Sequence, residues 1–452
     1  MIKNAASFSA NEVTLATGGR WLKGSPARIE ALTTNSREAS PASTFIALRG
    51  ERFDGHQFAH GLEGKISALI GDHRGIQSWQ QLNTPMLEVE NTLIAYGDLA
   101  HAWREKLRHC KVIALTGSYG KTTIRSMLEH VLRQHGLRVH ATQANLNNRI
   151  GVPMTLLATP EDCQVALIEC GISEAGEMDH LAKIVTPDIA ILTGVTAAHS
   201  QGLGTLHAIA QEKAKLLTTA ASSINYLGYG VAPLLDQAMQ RRCISMDDNH
   251  GVQWQRCDKT LHLHYLGQQA EITLSLPADH WCANMALVAT ILIEQFQFTL
   301  IKVADALQHW RAVAGRMQAI NGIHGSHILN DCYNANPASM QSALDTLGNL
   351  AGERIAILGD MAELGDSSEG AHATLQLPPL HQLLLVGPQM QHLHQQQPHA
   401  LWFENSAAVC SWMQEHPTWP HPNHTVLIKA SHSMNFDTIV QQLTLPRSPH
   451  AL

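Results

Sequence analysis

Between Lys111 and Thr123 the chain reads Lys-Val-Ile-Ala-Leu-Thr-Gly-Ser-Tyr-Gly-Lys-Thr-Thr, an apolar run that ends in two glycines, a lysine and two hydroxyl residues. The run from Val112 to Leu115 predicts a buried parallel strand. From Thr123 to Gly136, Ile124, Met127, Leu128, Val131 and Leu132 recur at helical spacing. Strand, turn and helix in this order predict a phosphate-binding loop. Gly117 and Gly120 let the backbone turn its N–H groups inward at a helix N-terminus, whose partial positive charge favours phosphate. Lys121 then neutralises phosphate charge, and the Thr122 hydroxyl suits Mg²⁺. The spacing Gly-x-x-Gly-Lys-Thr is shorter than the general pattern, because Leu115 stands where its first glycine belongs. An ordinary strand-to-helix turn that happens to contain Gly and Lys is the alternative.

A length of 452 residues predicts about three domains, and a hydrophobic content of 44% supplies separate cores. The net charge of −7 gives no basic footprint for nucleic acid, so a nucleotide-sugar or small-metabolite partner fits better. Eight cysteines without a C-x-x-C pair read as reduced thiols rather than as zinc ligands. Neither a signal pattern in Met1 to Glu12 nor an apolar run of about 18 residues is present, so the expected location is cytoplasmic without a membrane span. The pairs His262/His264 and His392/His394 share a strand face, yet no carboxylate or cysteine completes a ligand set, and they read as surface histidines.

The predicted fold class is α/β in three domains, with boundaries at 1–90, 91–313 and 314–452. The first is a small mixed unit with strands at Ile29–Arg37 and Thr44–Leu48 and a turn-rich loop, Gly50 to His56. Ser36 and Arg37 beside a strand end suit a phosphate; a solvated surface arginine fits equally well. Asn91 to His109 is helical by its period and leads to the P-loop strand.

In the central domain, strands and helices alternate as in a doubly wound, mostly parallel sheet. Val139–Thr142, Val165–Cys170 and Asp188–Thr193 are strands, and Gln143 to Pro153 is a polar loop. Ligands of open α/β sheets sit at the carboxyl ends of strands, so Glu169 and His199 are expected to face the P-loop and to offer metal ligands. A surface position for His199 is the alternative. Trp254–Leu266 and Ala270–Leu276 suggest an antiparallel excursion, and Asp279–Phe296 returns to helix.

The last domain is expected to be Rossmann-like, with strands at Ser326–Asn330, Arg354–Leu358, Leu383–Val386 and Thr425–Lys429 but no dinucleotide fingerprint. Asn336 is a preferred N-cap, Pro337 suits the first helical position, and Met340, Ala343, Leu344 and Leu347 form the apolar face.

Thr116 to Thr123, Asn145-Leu-Asn-Asn-Arg-Ile-Gly-Val-Pro153, Glu169-Cys-Gly171, Gly315-Arg-Met317, Asp331-Cys-Tyr-Asn-Ala-Asn-Pro-Ala-Ser-Met340 and Leu358-Gly-Asp-Met-Ala-Glu-Leu-Gly365 stand in the order found in the ATP-dependent Mur ligases. Nearly the whole chain resembles this family. Tyr-Asn-Ala-Asn-Pro and Gly-Asp-Met-x-Glu-Leu-Gly are similar to the branch that joins D-alanyl-D-alanine to UDP-N-acetylmuramoyl-tripeptide.

The resemblance implies ATP and Mg²⁺ as cofactors, a monomer, and a third domain that closes over ATP and binds the incoming dipeptide. It implies UDP-substrate contacts at Ser36, Arg37, Asn147 and Asn148, and ATP contacts at Gly117, Ser118, Tyr119, Gly120, Lys121, Thr122, Thr123, Asn284, Arg316 and Asp331. The metal positions are Thr122, Glu169, His199 and Lys213, the last as a carbamate, and Tyr333, Asn334 and Asn336 stand on the dipeptide side. Catalytic roles fall to Lys121, Glu169, His199, Lys213 and Arg316. A solvated helix lysine is the alternative for Lys213.

Departures from the family pattern occur at Asn35, Tyr119, Gln201, Trp281, Lys215 and Ala430-Ser-His432. Two other functions stay open. One is an amide ligase of the folylpolyglutamate synthase kind; the other is a silent paralogue that binds nucleotide only.

Overall fold

The computed structural model describes residues 4–50, 53–196, 200–218, 223–248 and 250–444. The chain gathers into two compact units. One holds Met1–Thr116, Leu132–Ile191 and Glu212–Tyr226; the other holds Gly117–Val131, Leu192–Gln211 and Leu227–Leu452.

The N-terminal sheet has six strands in the order Ser7–Phe8, Ile29–Thr33, Ser43–Ile46, Ala68–Asp72, Met86–Val89 and Arg20–Leu22. The predicted Ile29–Arg37 strand is shorter than expected, since Asn35 accepts the Arg37 amide at 3.1 Å and starts a 3₁₀ turn at Ser36. The turn-rich loop is pinned at its end. His56 Nδ1 meets Asp54 at 2.6 Å, His56 Nε2 accepts the Asp72 amide at 3.1 Å, and Arg49 bridges Asp54 and Asp72. Burial opposes ionisation of Asp72, but the Gly75 amide and the Arg49 guanidinium outweigh it and hold the carboxyl below the usual range.

The central sheet runs Cys243–Ser245, Ile224–Leu227, Ile189–Leu192, Lys111–Thr116, Val165–Glu169, Val139–Ala141. Val165–Glu169 pairs in parallel with both Lys111–Thr116 and Val139–Ala141. Residues 112–115 are fully buried, as a continuous apolar run requires of a parallel strand covered on both faces. The next helix starts at Lys121, two residues earlier than its spacing suggests, and its five periodic apolar residues are all buried. The loop at 143–153 is shorter than expected, because Asn148 Oδ1 accepts the amides of Ile150 and Gly151 and a helix, Gly151–Leu157, begins there.

Trp254–Leu266 is a hairpin rather than one segment. Asp258, at φ 52°, turns the chain between Gln253–Cys257 and Thr260–Tyr265, and Gln268–Thr273 completes a three-stranded antiparallel sheet.

The C-terminal sheet has the order Gln318–Asn321, His327–Asn330, His424–Lys429, Glu353–Gly359, Gln382–Val386, Leu401–Phe403. Its four central strands are the predicted ones, paired in parallel, and Gln318–Asn321 adds an antiparallel edge. Asn336 caps helix Pro337–Gly348 through a reciprocal pair of bonds with Ser339. No helix among the described residues is long and apolar enough to cross a membrane.

Candidate functional site

The P-loop is held by hydrogen bonds to the segment after a neighbouring strand. Gly117 sits at φ 148° and Gly120 at φ 84°, conformations that favour glycine. At Gly117 a Cβ would lie 2.2 Å from Thr193 Oγ1, so a side chain has no room there. The segment after strand Ile189–Leu192 clasps the loop. Ser118 N donates to Gly194 O at 2.7 Å, Ser118 Oγ to Thr196 O at 3.1 Å, and Thr193 Oγ1 to Tyr119 O at 2.5 Å. Lys121 Nζ donates to Gly117 O, which curls its ammonium over the loop. The departure at Tyr119 has a place here, since its ring lies against Gly194 so closely that a Cβ on Gly194 would be 2.5 Å away. Burial raises the phenol above its ordinary pKa and keeps it neutral.

Thr116, the last residue of the P-loop strand, carries a buried hydroxyl with no hydrogen-bond partner among the described residues. A buried hydroxyl without a protein partner at a strand's carboxyl end is open to a partner from water or ligand. In the neighbouring strand Glu169 stands in register with Leu115, is 1% exposed, and donates its amide N–H to Thr142 Oγ1 at 2.9 Å. Asn147 lies beside Gly171, two residues on, where its carbonyl accepts the Gly171 amide at 2.8 Å. Asn148 is exposed, with Oδ1 committed to the helix start.

Lys213 is 1% exposed and is among the largest fully buried side chains, which overturns the solvated-lysine alternative. The helix places it where water does not reach. Its neighbour Glu212 accepts the Gly176 amide at 2.7 Å and pairs with Lys215 at 2.7 Å, while Lys215 also pairs with Asp179 at 2.7 Å. The extra positive charge of Lys215 is therefore neutralised locally by two carboxylates. His199 lies outside the described residues.

Around Arg316 the C-terminal residues form a second group. Gly315 turns at φ 71° and Met317 at φ 55°, and the Arg316 guanidinium stacks 4.1 Å from the centre of the Tyr333 ring. Asp331 accepts the Met317 amide at 2.8 Å on one oxygen and the Lys429 ammonium at 2.6 Å on the other; Lys429 donates also to Asn334 O at 3.0 Å. Tyr333 meets His432 edge-on at 5.9 Å, which gives that departure a packing role. Asn336 is spent on its helix cap, whereas Asn334 is exposed. Asn284 is half-buried, one turn beyond His280, whose Nδ1 meets Ser342 Oγ at 2.9 Å. The Trp281 departure is absorbed by packing edge-on against Trp310, which donates to Ser126 on the P-loop helix.

A model of the Mur ligase middle domain matches residues 115–292, one of the Mur ligase glutamate ligase domain matches 315–432, and one of the Mur ligase family catalytic domain matches 28–109. The chain is 33% identical over 380 residues to the UDP-N-acetylmuramoyl-tripeptide D-alanyl-D-alanine ligase of Escherichia coli K12, covering 78% of this chain and 79% of that protein. The chain belongs to the Mur ligase family. A crystal structure of MurF from Acinetobacter baumannii superposes with a TM-score of 0.87 at 27% identity over 97% of this chain and 99% of that one. MurF from Thermotoga maritima in complex with ADP gives 0.79 at 23% identity, over 91% and 96%, a likeness of fold.

Within this Mur ligase the structure brings the P-loop residues together with Thr193 and Gly194, and Arg316 together with Tyr333, Asp331 and Lys429. Ser36 and Arg37 stay in the first sheet's turn, where Arg37 is exposed and makes no ion pair among the described residues. Sequence reasoning passed over Lys429 and the Thr193-Gly194 clasp. Both had a signal, because each ends a predicted strand on the side where α/β sheets bind ligands.

Proposed function

We propose that this chain is an ATP-dependent amide-bond ligase that joins D-alanyl-D-alanine to UDP-N-acetylmuramoyl-tripeptide in the cytoplasm and acts as a monomer. The observation that carries the reading is the P-loop, clasped by Thr193 to Thr196 and followed by a buried helix, in a chain whose similarity to the Escherichia coli ligase extends over 380 residues. The domain roles follow boundaries at 1–90 for the UDP substrate, 91–313 for ATP and 314–452 for the dipeptide. The family match at 28–109 favours this substrate over a folate, whose ligases need no UDP-binding domain.

A carboxylate resists attack by an amine, so the tripeptide's terminal carboxylate first takes the γ-phosphoryl group of ATP and ADP departs. The dipeptide amine then attacks the acyl carbonyl; phosphate leaves with one former carboxylate oxygen, and the amine loses a proton. Backbone N–H groups of Gly117 to Thr123 and the Lys121 ammonium hold the phosphates, and Arg316 adds positive charge when the third domain closes. Closure also keeps water from the acyl phosphate. Asn284 and Asp331 position the nucleotide, Ser36, Arg37, Asn147 and Asn148 the UDP substrate, and Tyr333 and Asn334 the dipeptide, while Asn336 acts on that side by starting its helix.

Thr122, Glu169, His199 and Lys213 as a carbamate are the residues that would hold Mg²⁺, each offering a donor of a type that Mg²⁺ accepts. Bound Mg²⁺ supplies charge screening between phosphate and the incoming carboxylate. The burial of Lys213 supports a role inside the protein rather than at its surface, as a carbamate ligand would need. Phosphate release measured with ATP and each acceptor alone, with both, and with a folate and glutamate in their place tests the function. Release that requires both cell-wall substrates supports it; folate-dependent release, or none with any pair, overturns it.

A further inference from the structure

At the amino-terminal end of the C-terminal sheet, three neighbouring parallel strands each begin at, or immediately after, a residue able to hold a metal. Glu353 opens strand Glu353–Gly359, His424 opens His424–Lys429 and is its register partner, and His381 immediately precedes Gln382–Val386. The sheet order places these strands side by side. The His381 amide donates to Arg354 O at 2.8 Å, which fixes the third residue beside the first. One ligand atom from each of Glu353, His381 and His424 lies within 4.8 Å of the others. His381 and His424 border a cavity of about 650 Å³ that is also lined by His416, His421 and Glu415. Lys429, at the far end of the strand that His424 opens, is about 16 Å away, so the cluster is remote from Asp331 and Arg316.

We propose that Glu353, His381 and His424 form a binding site for a borderline-soft divalent cation, Zn²⁺. Two imidazoles and one carboxylate are a donor set that Zn²⁺ accepts in three positions, leaving the fourth to water or to an imidazole from the cavity wall. Tetrahedral Zn²⁺ holds its ligand atoms about 3.4 Å apart, so shifts of little more than 1 Å bring the three atoms into place. Glu353 and His381 are exposed and rotate toward the metal at small cost, whereas His424 is 1% exposed and is the fixed point.

Without metal these groups satisfy one another. His424 Nδ1 accepts the His421 amide at 3.1 Å, which puts the ring proton on Nε2, and Nε2 donates to Glu353 Oε2 at 2.7 Å. Zn²⁺ at Nε2 takes the place of that proton, which moves to Nδ1 and breaks the bond from His421. The rings of His381 and His421 lie 5.3 and 5.2 Å from that of His424. His416 already donates Nδ1–H to Trp412 O at 2.8 Å, which leaves its Nε2 lone pair available.

The test is a calorimetric titration of Zn²⁺ alone into the full chain, with Mg²⁺ in excess and the thiols reduced. A Glu353→Ala/His381→Ala variant, changed at two exposed residues outside the catalytic machinery, is titrated alongside. The proposal expects one strong site in the wild type, binding at least about tenfold weaker in the variant, and equal ligase turnover in both. X-ray absorption of the Zn²⁺ complex should show nitrogen and oxygen neighbours, and the His421 amide resonance should shift on binding. Equal affinity in wild type and variant, sulfur neighbours at the metal, or no strong site in the wild type would each overturn it.

Discussion

Lys429 donates to Asp331 across 2.6 Å at the carboxyl ends of two neighbouring parallel strands, with 2% of the lysine side chain and 16% of the aspartate exposed. The pair fixes the aspartate that also receives the Met317 amide, and so holds the backbone from which Arg316 projects. Breaking a buried pair by removing one partner typically costs about 3–5 kcal/mol, since a charge is left uncompensated. Lys429→Met should therefore lower the thermal midpoint clearly, by an amount at the low end of that range because Asp331 keeps some contact with water. Lys429→Met/Asp331→Asn should be milder than the single change. Equal midpoints for wild type and Lys429→Met would show that the pair has no structural weight.

Gly194 lies under the Tyr119 ring, where an added Cβ would be 2.5 Å from the nearest ring atom. Gly194→Ala should displace the P-loop and weaken ATP binding by roughly tenfold or more, the effect of a misplaced phosphate-binding group. Tyr119→Ala in the same chain removes the clash and should restore much of the affinity. Calorimetric titration of ATP into the three variants reads this out; a double variant no better than Gly194→Ala would place the damage elsewhere.

Burial pushes His280 down to about 4, with the nearby charges of Asp331, Lys429 and Asp279 contributing less. Its folded value is thus below the unfolded value of about 6.5, and the unfolded chain takes up the proton first. The stability from a neutral His280 is complete above about pH 6.5 and is lost as pH falls from there to about 4. Thermal midpoints of wild type and His280→Gln should converge across that window as acid is added. Parallel curves would remove His280 from the account.

Lys213→Ala should be nearly inactive while keeping its fold, and short-chain carboxylic acids should restore part of the turnover by offering the oxygens that the carbamate loses. Turnover assayed across an acetate-to-butyrate series decides this. Ordinary activity without any added acid would exclude a carbamate role.

Much of this could be read from the chain because the relevant signals are local. The apolar run 112–115, the glycines at 117 and 120 and the five periodic residues after them specify strand, turn and helix with no tertiary information. Asn336-Pro337 marks its helix start in the same way. What escaped was set by distant partners. Nothing near Lys213 in sequence says that it is buried, since Glu212 and Lys215 on either side are polar. The Thr193-Gly194 clasp depends on a strand more than 70 residues from the loop that it holds. The hairpin at Asp258 was missed because a polar residue at positive φ ends a strand without a glycine to announce it.

Labelled oxygen tests the central claim most directly. UDP-N-acetylmuramoyl-tripeptide carrying ¹⁸O in its terminal carboxylate is turned over with ATP and D-alanyl-D-alanine, and the released phosphate is analysed by mass spectrometry. Transfer through an acyl phosphate predicts one ¹⁸O atom in each phosphate derived from fully labelled carboxylate, together with a pentapeptide product that retains the other. Phosphate free of ¹⁸O, alongside normal product formation, would contradict the account.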